Sequence, residues 1–583
     1  MYPKPATGPP KAADYAARIA GQPPSSQPDN VAPPVDSPVE HPPAEAATTD
    51  EPSGPLTGTD GAQWDPTRLA CHLAIIAAFG IALIRALESG WAAVSDDAVI
   101  SIRSFEVFSH NTPLVGQFTQ LSTVFDLGPL QYWLLAVPVR LDPSHGALWG
   151  STIWCVLAAA VAVEAMRAAG GRAAGVAAAV VIVWAVWWMP GIAVNPVWNP
   201  YLGDVFFLTT IAASYAALCG CRRYWPIAVF AGSVATQCHL MFALGSVVLV
   251  LLSGAVVAGR AVRAKAFPSA LLVGVLVGIG CWIAPVIQQF TTSPGNLTEL
   301  FSSQGQGARL GVSFGLRALG ASTFPRPIFT ELGGSLRLTA DLRSGSAVIG
   351  VLTIVLVASV AALAWSAHKR PLFYLALVSL VTSLGLVATM ANVLAAKDIS
   401  LGYIVALSVP TGVLGWVTVV WGAAAGVEQL ARRRAGADVP AHARPRRLPI
   451  PTGLAARWVG VGALVLVSVL LQIRQSGYED NVENHLAVTL SSRAATKIEA
   501  LVQSGTVNLL ISEGPNLRNP LLEYDVVLGV AWRLRQDGLK PLVPMPAALV
   551  FGPRYQPYAV VLGAPSVSVK LGPASVTVRS VRF

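Results

Sequence analysis

The fold class of this chain is set by two apolar segments, SAVIGVLTIVLVASVAALAW (346–365) and PLFYLALVSLVTSLGLVATMAN (371–392), which flank Lys369 and Arg370. Each segment has about 20 uncharged residues, the length that an α-helix needs to cross a bilayer. Of the 583 residues, 53% are hydrophobic and 12% are charged, whereas soluble domains carry roughly twice that charged fraction. The sequence therefore predicts an all-α polytopic membrane protein.

The same pattern predicts about eleven membrane spans along the chain. They fall at 69–88, 147–166, 173–192, 202–220, 225–241, 242–259, 268–287, 346–365, 371–392, 402–424 and 453–472. With the N-terminus inside, every short cytoplasmic loop contains Arg or Lys, as the positive-inside rule requires. We therefore expect a bacterial inner (plasma) membrane protein with a cytoplasmic N-terminus. The net charge of +9 is assigned to these loops and to contact with membrane lipids, and not to nucleic acid.

Three regions are predicted from these spans. Residues 1–65 are rich in proline and acidic residues, hold few large aliphatic side chains, and are expected to be a disordered cytoplasmic tail. Residues 66–472 form the transmembrane domain, with long outer loops at 89–146 and 288–345. Residues 473–583 are expected to be a small extracytoplasmic α/β domain, with strands at 506–512 and 558–563, a helix at 518–536, and two alternating strands, SVSVKL and SVTVRSV.

The first outer loop holds the strongest chemical signal, the adjacent carboxylates Asp96 and Asp97. Two carboxylates beside an apolar segment are costly unless they are hydrogen-bonded, bind a cation or take part in a reaction. One carboxylate can act as a general base while the other orients a substrate. The alternative is that an Asp here only caps a helix over 97–109.

Further polar residues lie close to the predicted outer ends of the spans and are candidates for substrate binding. They are Asn195, Asn199 and Asp204 around the start of span four, Gln237 and His239 in span five, Gln288 and Asn296 after span seven, and Arg103 near the acidic pair. Amides suit sugar hydroxyl groups, and cations such as Arg103, Arg309, Arg317 and Lys397 suit a lipid phosphate. The alternatives are turn and cap residues, helix–helix hydrogen bonds and pairing with lipid headgroups.

Several motifs resemble the GT-C class of membrane glycosyltransferases. They are the acidic motif Ser95-Asp96-Asp97-Ala98 after the first span, the interfacial helix that begins at Gly128-Pro129-Leu130, and Pro294-Gly295-Asn296-Leu297 after span seven. The plan is similar to protein mannosyltransferases, aminoarabinose transferases and actinobacterial arabinofuranosyltransferases, over roughly residues 66–472. Many of these relatives have His-Pro where this chain has Gly128-Pro129. The excess of Arg over Lys fits a GC-rich genome such as that of an actinobacterium.

This resemblance implies an enzyme that moves a sugar from a polyprenyl-phosphate carrier to a cell-envelope acceptor at the outer membrane face, with inversion. Asp96 is the expected general base and Asp97 the alternate. A divalent cation (Mg²⁺ or Mn²⁺), shared by Asp97 and Asp204, is the candidate cofactor. The acceptor is a glycan, lipid or protein. Glu513, Asn519, Tyr524 and Arg554 of the C-terminal domain are candidates for binding it. The competing interpretations are a transporter or flippase of envelope precursors and a non-catalytic scaffold.

Overall fold

The structure of the protein is a computed structural model. It describes residues 65–119, 124–188, 191–303, 308–323, 346–394, 408–434, 465–466, 469–470, 482–512, 520–543, 565–572 and 575–581. The predicted tail (apart from Asp65), nearly all of the predicted span 453–472, the predicted strand 558–563, and Lys397, Glu513, Asn519 and Arg554 lie outside these residues.

The described residues before position 470 are almost entirely helical. The helices are α1 (Pro66–Glu88), α2 (Ser95–Glu106), α3 (Leu130–Leu141), α4 (Gly146–Trp188), α5 (Gly191–Val194), α6 (Asn199–Leu218), α7 (Trp225–Cys238), α8 (Ala243–Arg263), α9 (Ser269–Thr291), α10 (Asn296–Ser303), α11 (Gly311–Thr323), α12 (Ala347–Ser366), α13 (Arg370–Ala391) and α14 (Ser408–Arg434). Eight helical segments of the described chain are long and apolar enough to cross a membrane. The chain is therefore a multi-pass membrane protein, as predicted.

Two predicted spans, 147–166 and 173–192, form the continuous segment α4. Gly171 interrupts this segment with φ of 75° and ψ of −165°, a left-handed conformation that glycine adopts without a steric penalty. The chain reverses here, and this brings Gly175 close to Arg167. A Cβ atom built at Gly175 would lie 3.0 Å from Cβ of Arg167. The two predicted helices thus lie side by side. The predicted span 225–241 is the shorter helix α7, of 14 residues, which does not reach the length of a candidate span.

The segment 128–141 forms α3, a helix of 12 residues with Pro138 inside it. Its length is too short for a span, as the sequence predicts. Tyr132 is buried, and the indole Nε1 of Trp133 donates to the carbonyl of Pro113 at 3.3 Å. The helix is thereby packed on the loop that precedes it.

The C-terminal region combines two helices with a four-stranded sheet. The elements are α15 (Val482–Glu499), β1 (Thr506–Ser512), α16 (Pro520–Gln536), β2 (Lys540–Leu542), β3 (Ser566–Gly572) and β4 (Ser575–Val581). The strand order is β2-β1-β3-β4. Strand β1 is parallel to β2 and β3, and β3 is antiparallel to β4. The predicted α/β class and the strand 506–512 are confirmed, and the helix predicted at 518–536 is confirmed over its described residues, 520–536, whereas α15 and β2 were not predicted.

Helix α16 packs on α2, which follows the first membrane helix. A Cβ atom at Gly529 would lie 2.9 Å from Cγ1 of Val94. The rings of Phe105 and Trp532 meet edge to face, with their centroids 6.2 Å apart. The buried core is therefore continuous from the membrane helices into the C-terminal region.

Candidate active site

The acidic pair lies in the first turn of α2. The residue that caps this helix is Val94, whose side chain makes no capping hydrogen bond. The alternative in which an Asp serves as the helix cap is therefore wrong. Ser95 has a positive φ of 52°, and the chain turns there into the helix. Asp97 is buried, with 7% of its surface exposed, while Asp96 is only partly buried. Asp96 is thus the more exposed carboxylate of the pair.

Asp96 accepts hydrogen bonds from three distant parts of the chain. Gln117 Nε2 donates to Oδ1 at 3.0 Å, and Trp198 Nε1 donates to Oδ2 at 3.0 Å. The hydroxyl group of Tyr524, on α16, donates to Oδ1 at 3.4 Å. Burial raises the pKa of Asp96, and the three donors oppose that rise. A carboxylate with several donors can hold its charge in a partly desolvated site.

Asp97 has a different environment. Burial raises its pKa to about 8, the side chain of Asn195 opposes the rise, and the charges of Asp96 and Asp525 add to it. At neutral pH Asp97 therefore retains its proton. Asp96 differs from it in having three donors to its charged form, from Gln117, Trp198 and Tyr524. Hydrogen bonds of this kind favour the charged form of a carboxyl group, which favours Asp96 over Asp97 as the base.

The loop before α3 brings Gln117 to Asp96. Its two arms pair through hydrogen bonds from Gly116 N to Asp126 O (2.9 Å) and from Asp126 N to Gln117 O (2.8 Å). The buried carboxylate of Asp126 accepts from Asn199 Nδ2 at 3.1 Å and from Leu240 N at 3.4 Å. Asp126 was not among the predicted site residues. A third aspartate in the first outer loop was the available signal for it, whereas the role of Gln117 had no sequence signal.

The predicted sugar-binding amides form hydrogen bonds within the protein that hold this loop. Gln237 accepts from Leu130 N at 3.3 Å and donates to Cys281 O at 2.8 Å. Asn296 accepts from Phe125 N at 3.0 Å and donates to Phe125 O at 2.9 Å. Gln288 Oε1 in turn accepts from Asn296 N at 3.0 Å. These residues lie around the acidic pair as support for the loop, and their contact with substrate stays a prediction.

Gly128 lies just before α3, where the chain comes close to α7 and α9. A Cβ atom at this position would overlap the side-chain amide of Gln237 and lie 2.8 Å from Cγ of Pro285. The close approach of α7 and α9 therefore leaves no room for a larger side chain at this position.

The remaining predicted residues lie in three different settings. Asp204 is fully buried in α6, and neither of its carboxyl oxygens has a hydrogen-bond partner among the described residues. His239 is partly exposed, and its Nδ1 accepts from Met241 N at 3.2 Å. Arg103 is buried and pairs with Glu106, so its charge is used within the protein and it is a poor candidate for binding a phosphate.

The predicted cation site at Asp97 and Asp204 depends on the ligands that the surrounding residues can supply. Mg²⁺ prefers six oxygen ligands in octahedral geometry. Among the described residues, no group of three or more His, Cys, Asp and Glu side chains is arranged to hold a metal ion. The described residues therefore offer Asp97 and Asp204 no third side-chain ligand of these types, and a cation that they share stays a prediction.

Comparison with known proteins gives two similar solved structures. No protein-family model matches the chain, and no curated protein matches it. The structures are those of ArnT from Cupriavidus metallidurans bound to undecaprenyl phosphate and in the apo state. Each is 16% identical and covers 86% of this chain and 92% of its own, with TM-scores of 0.45 and 0.44.

Proposed function

We propose that this protein is an inverting glycosyltransferase that uses a polyprenyl-phosphate sugar as donor. The observation that carries the proposal is the partly exposed Asp96 with its three hydrogen-bond donors, beside a buried Asp97 that keeps its proton. Trp198, one of the donors, directly precedes α6, a candidate membrane span. The site therefore lies at the end of a membrane helix, where a substrate with a lipid carrier can approach it.

In the proposed reaction an acceptor hydroxyl group attacks the anomeric carbon of the sugar. Its proton passes to the carboxylate of Asp96 as the new carbon–oxygen bond forms. The bond between the anomeric carbon and the phosphate oxygen breaks, and its electron pair leaves with the polyprenyl phosphate. A single displacement inverts the anomeric configuration. A positioned base of this kind contributes about 10²- to 10⁴-fold to a rate.

The donor is expected to bind at the outer membrane face, where the first outer loop and the C-terminal region would lie if the N-terminus is cytoplasmic. The leaving phosphate needs a cationic partner. Arg309 and Arg317 have exposed side chains and stay candidates for that role, whereas Arg103 is paired with Glu106.

The test is a transfer assay on the full chain in lipid nanodiscs. Polyprenyl-phosphate arabinofuranose and mannose are the first donors, a solubilised cell-envelope extract supplies the acceptor hydroxyl group, and the release of polyprenyl phosphate is measured. The variants are Asp96→Ala and Asp97→Ala. Glu88→Gln is the matched control, because Glu88 is an exposed carboxylate eight positions before Asp96. We expect release by wild type and by the control, and none by Asp96→Ala.

A different result would contradict the proposal. If Asp96→Ala released polyprenyl phosphate as fast as Glu88→Gln, Asp96 would not be the base. If wild type neither bound nor cleaved any donor of the set, the transferase proposal would fail, and a transporter or scaffold would become the better interpretation.

One observation favours a second candidate function, a transporter or flippase of envelope precursors. Asp204 is an ionisable side chain buried inside a candidate span, and such residues mark proton or substrate pathways in transporters. This candidate predicts that Asp204→Asn abolishes translocation of a lipid-linked precursor in proteoliposomes. Asp96→Ala would leave translocation intact. A transferase would show no translocation in wild type or in either variant, while its sugar transfer would be lost in Asp96→Ala and kept in Asp204→Asn.

A further inference from the structure

The C-terminal helix α16 reaches the acidic pair from outside the membrane domain. The hydroxyl group of Tyr524 lies 3.4 Å from Oδ1 of Asp96. The carboxylate of the next residue, Asp525, acts on Asp97 through its charge. Gln117 donates to the same Oδ1 from the outer loop. The immediate environment of Asp96 therefore contains one group that does not belong to the membrane domain.

Contacts further along α16 fix the position of Tyr524. Arg535 Nη1 lies 2.9 Å from Oε1 of the buried Glu106, and Gln536 Nε2 donates to the carbonyl of Pro143 at 2.7 Å. Trp532 packs edge to face on Phe105. These contacts cover the last turns of α16, whereas Tyr524 lies near its start. The docked helix is therefore held at one end by an ion pair and packing, while its other end supplies a hydroxyl donor to Asp96.

We propose that Tyr524 is a positioning residue for Asp96, so that the acidic site is complete only when the C-terminal region is docked on α2. The hydroxyl group stabilises the charged form of Asp96, and loss of the docked helix removes that donor. The role of Tyr524 in sugar transfer rests on the proposed function. Its control of the ionisation of Asp96 does not.

The test must separate Tyr524 from the other ionisable groups around Asp96. These groups are Asp97 on α2, Asp126 in the outer loop, Tyr132 on α3, and Asp525 on α16 beside Asp97 and Tyr524; Arg103 acts on Tyr132. Tyr524→Phe changes none of them and removes a single oxygen atom. Gln536→Ala is the control, because it removes one contact of α16 away from Asp96, while the Arg535–Glu106 ion pair and the packing of Trp532 on Phe105 keep the helix docked.

The first measurement is the pH dependence of kcat/KM for transfer. Loss of a donor to the charged form raises the pKa of Asp96. The acidic limb of the profile should therefore move to higher pH in Tyr524→Phe, and kcat/KM on that limb should fall about tenfold for each pH unit of displacement. The profile of Gln536→Ala should keep its midpoint. A purely structural role of Tyr524 would lower the rate without moving the midpoint.

The second measurement needs no substrate. The infrared carboxyl band that is lost in Asp96→Asn reports the protonation of Asp96 in the full chain in nanodiscs. Its midpoint should be higher in Tyr524→Phe than in wild type and Gln536→Ala. An unchanged or lower midpoint in Tyr524→Phe would overturn the proposal. If wild type showed no transfer while this midpoint still moved, the proposed function would fail and the link between Tyr524 and Asp96 would stand.

Discussion

Asp96 and Asp204 are two carboxylates near the starts of helices, and they differ in burial and in hydrogen-bond partners. Asp96 is partly exposed and receives hydrogen bonds from Gln117, Trp198 and Tyr524. Asp204 is fully buried, and neither of its oxygens has a hydrogen-bond partner in the described part of the chain. A buried carboxylate can remain charged only when donors replace the lost water. Hydrogen-bond donors, and not the residue type, therefore distinguish Asp96 from Asp204, and the proposed function assigns the base to the carboxylate that has them.

Neutralising the carboxylate of Asp96 is expected to change the transfer rate more than any other substitution considered. Asp96→Asn keeps the size of the side chain but cannot accept a proton. We expect the transfer rate to fall by about 10²- to 10⁴-fold, the usual contribution of a general base. Polyprenyl-phosphate release in nanodiscs measures it, with Glu88→Gln as the control carboxylate. Equal rates for the two variants would show that the donors around Asp96 serve stability alone.

The second prediction concerns the loop that supplies Gln117 to Asp96. Gly128→Ala places a Cβ atom against Gln237 and Pro285, which must move apart. We expect the free energy of unfolding to fall by about 1–3 kcal/mol, as for other overpacked sites, and transfer to fall with it because the loop shifts. Thermal unfolding in detergent and the transfer assay measure the two effects.

The control for this variant is Gly80→Ala in α1. A Cβ atom at Gly80 has no heavy atom within 4 Å, and alanine favours a helix over glycine by about 1 kcal/mol. The control should therefore be as stable as wild type or more stable. If Gly128→Ala matched it in both assays, the close approach of the loop to α7 would be unimportant.

The third prediction concerns the pH dependence of stability that the buried carboxyl group of Asp97 introduces. The pKa of Asp97 is about 8 in the folded protein against an ordinary value of 3.8. Between these values the unfolded chain has lost the proton while the folded protein keeps it. Asp97 therefore makes stability fall as the pH rises from about 4 to about 8, by at most about 1.4 kcal/mol per pH unit.

Asp97→Asn removes this dependence. The melting temperature of the variant relative to wild type should be higher at pH 8 than at pH 5, since asparagine has no proton to lose. Thermal unfolding at the two pH values measures the difference, and Glu88→Gln again provides the baseline. A difference that is the same at both pH values would mean that Asp97 is not held protonated.

The sequence predicted the helices well because apolar length is a local property. Segments 346–365 and 371–392 became α12 and α13 with bounds that differ by one or two residues. The strand TVNLLIS was placed at its observed bounds for the same reason. The reversal at Gly171 is also local, and the two helices on either side of it were predicted separately.

The site was predicted only in part because its geometry depends on contacts between distant segments. Asp96 and Asp97 stood out by composition and position. Gln117 and Trp198 reach Asp96 only after the loop and α6 are packed, and Tyr524 does so only after α16 docks on α2. The amides Gln237 and Asn296 resembled sugar-binding groups, but the backbone of the outer loop uses their hydrogen-bonding capacity. A single sequence contains no record of these pairings.

The smallest effect is expected at Asp204, the other side of the comparison. Neither oxygen of Asp204 has a hydrogen-bond partner among the described residues, so Asp204→Asn breaks no such bond there and should change the free energy of unfolding by less than about 1 kcal/mol and leave transfer unchanged. If instead Asp204 shares a cation with Asp97, Mg²⁺ or Mn²⁺ should raise the melting temperature of wild type but not of the variant. Unfolding with and without chelator separates the two cases. A metal-dependent difference would show that Asp204 obtains from a cation the stabilisation that Asp96 obtains from Gln117, Trp198 and Tyr524.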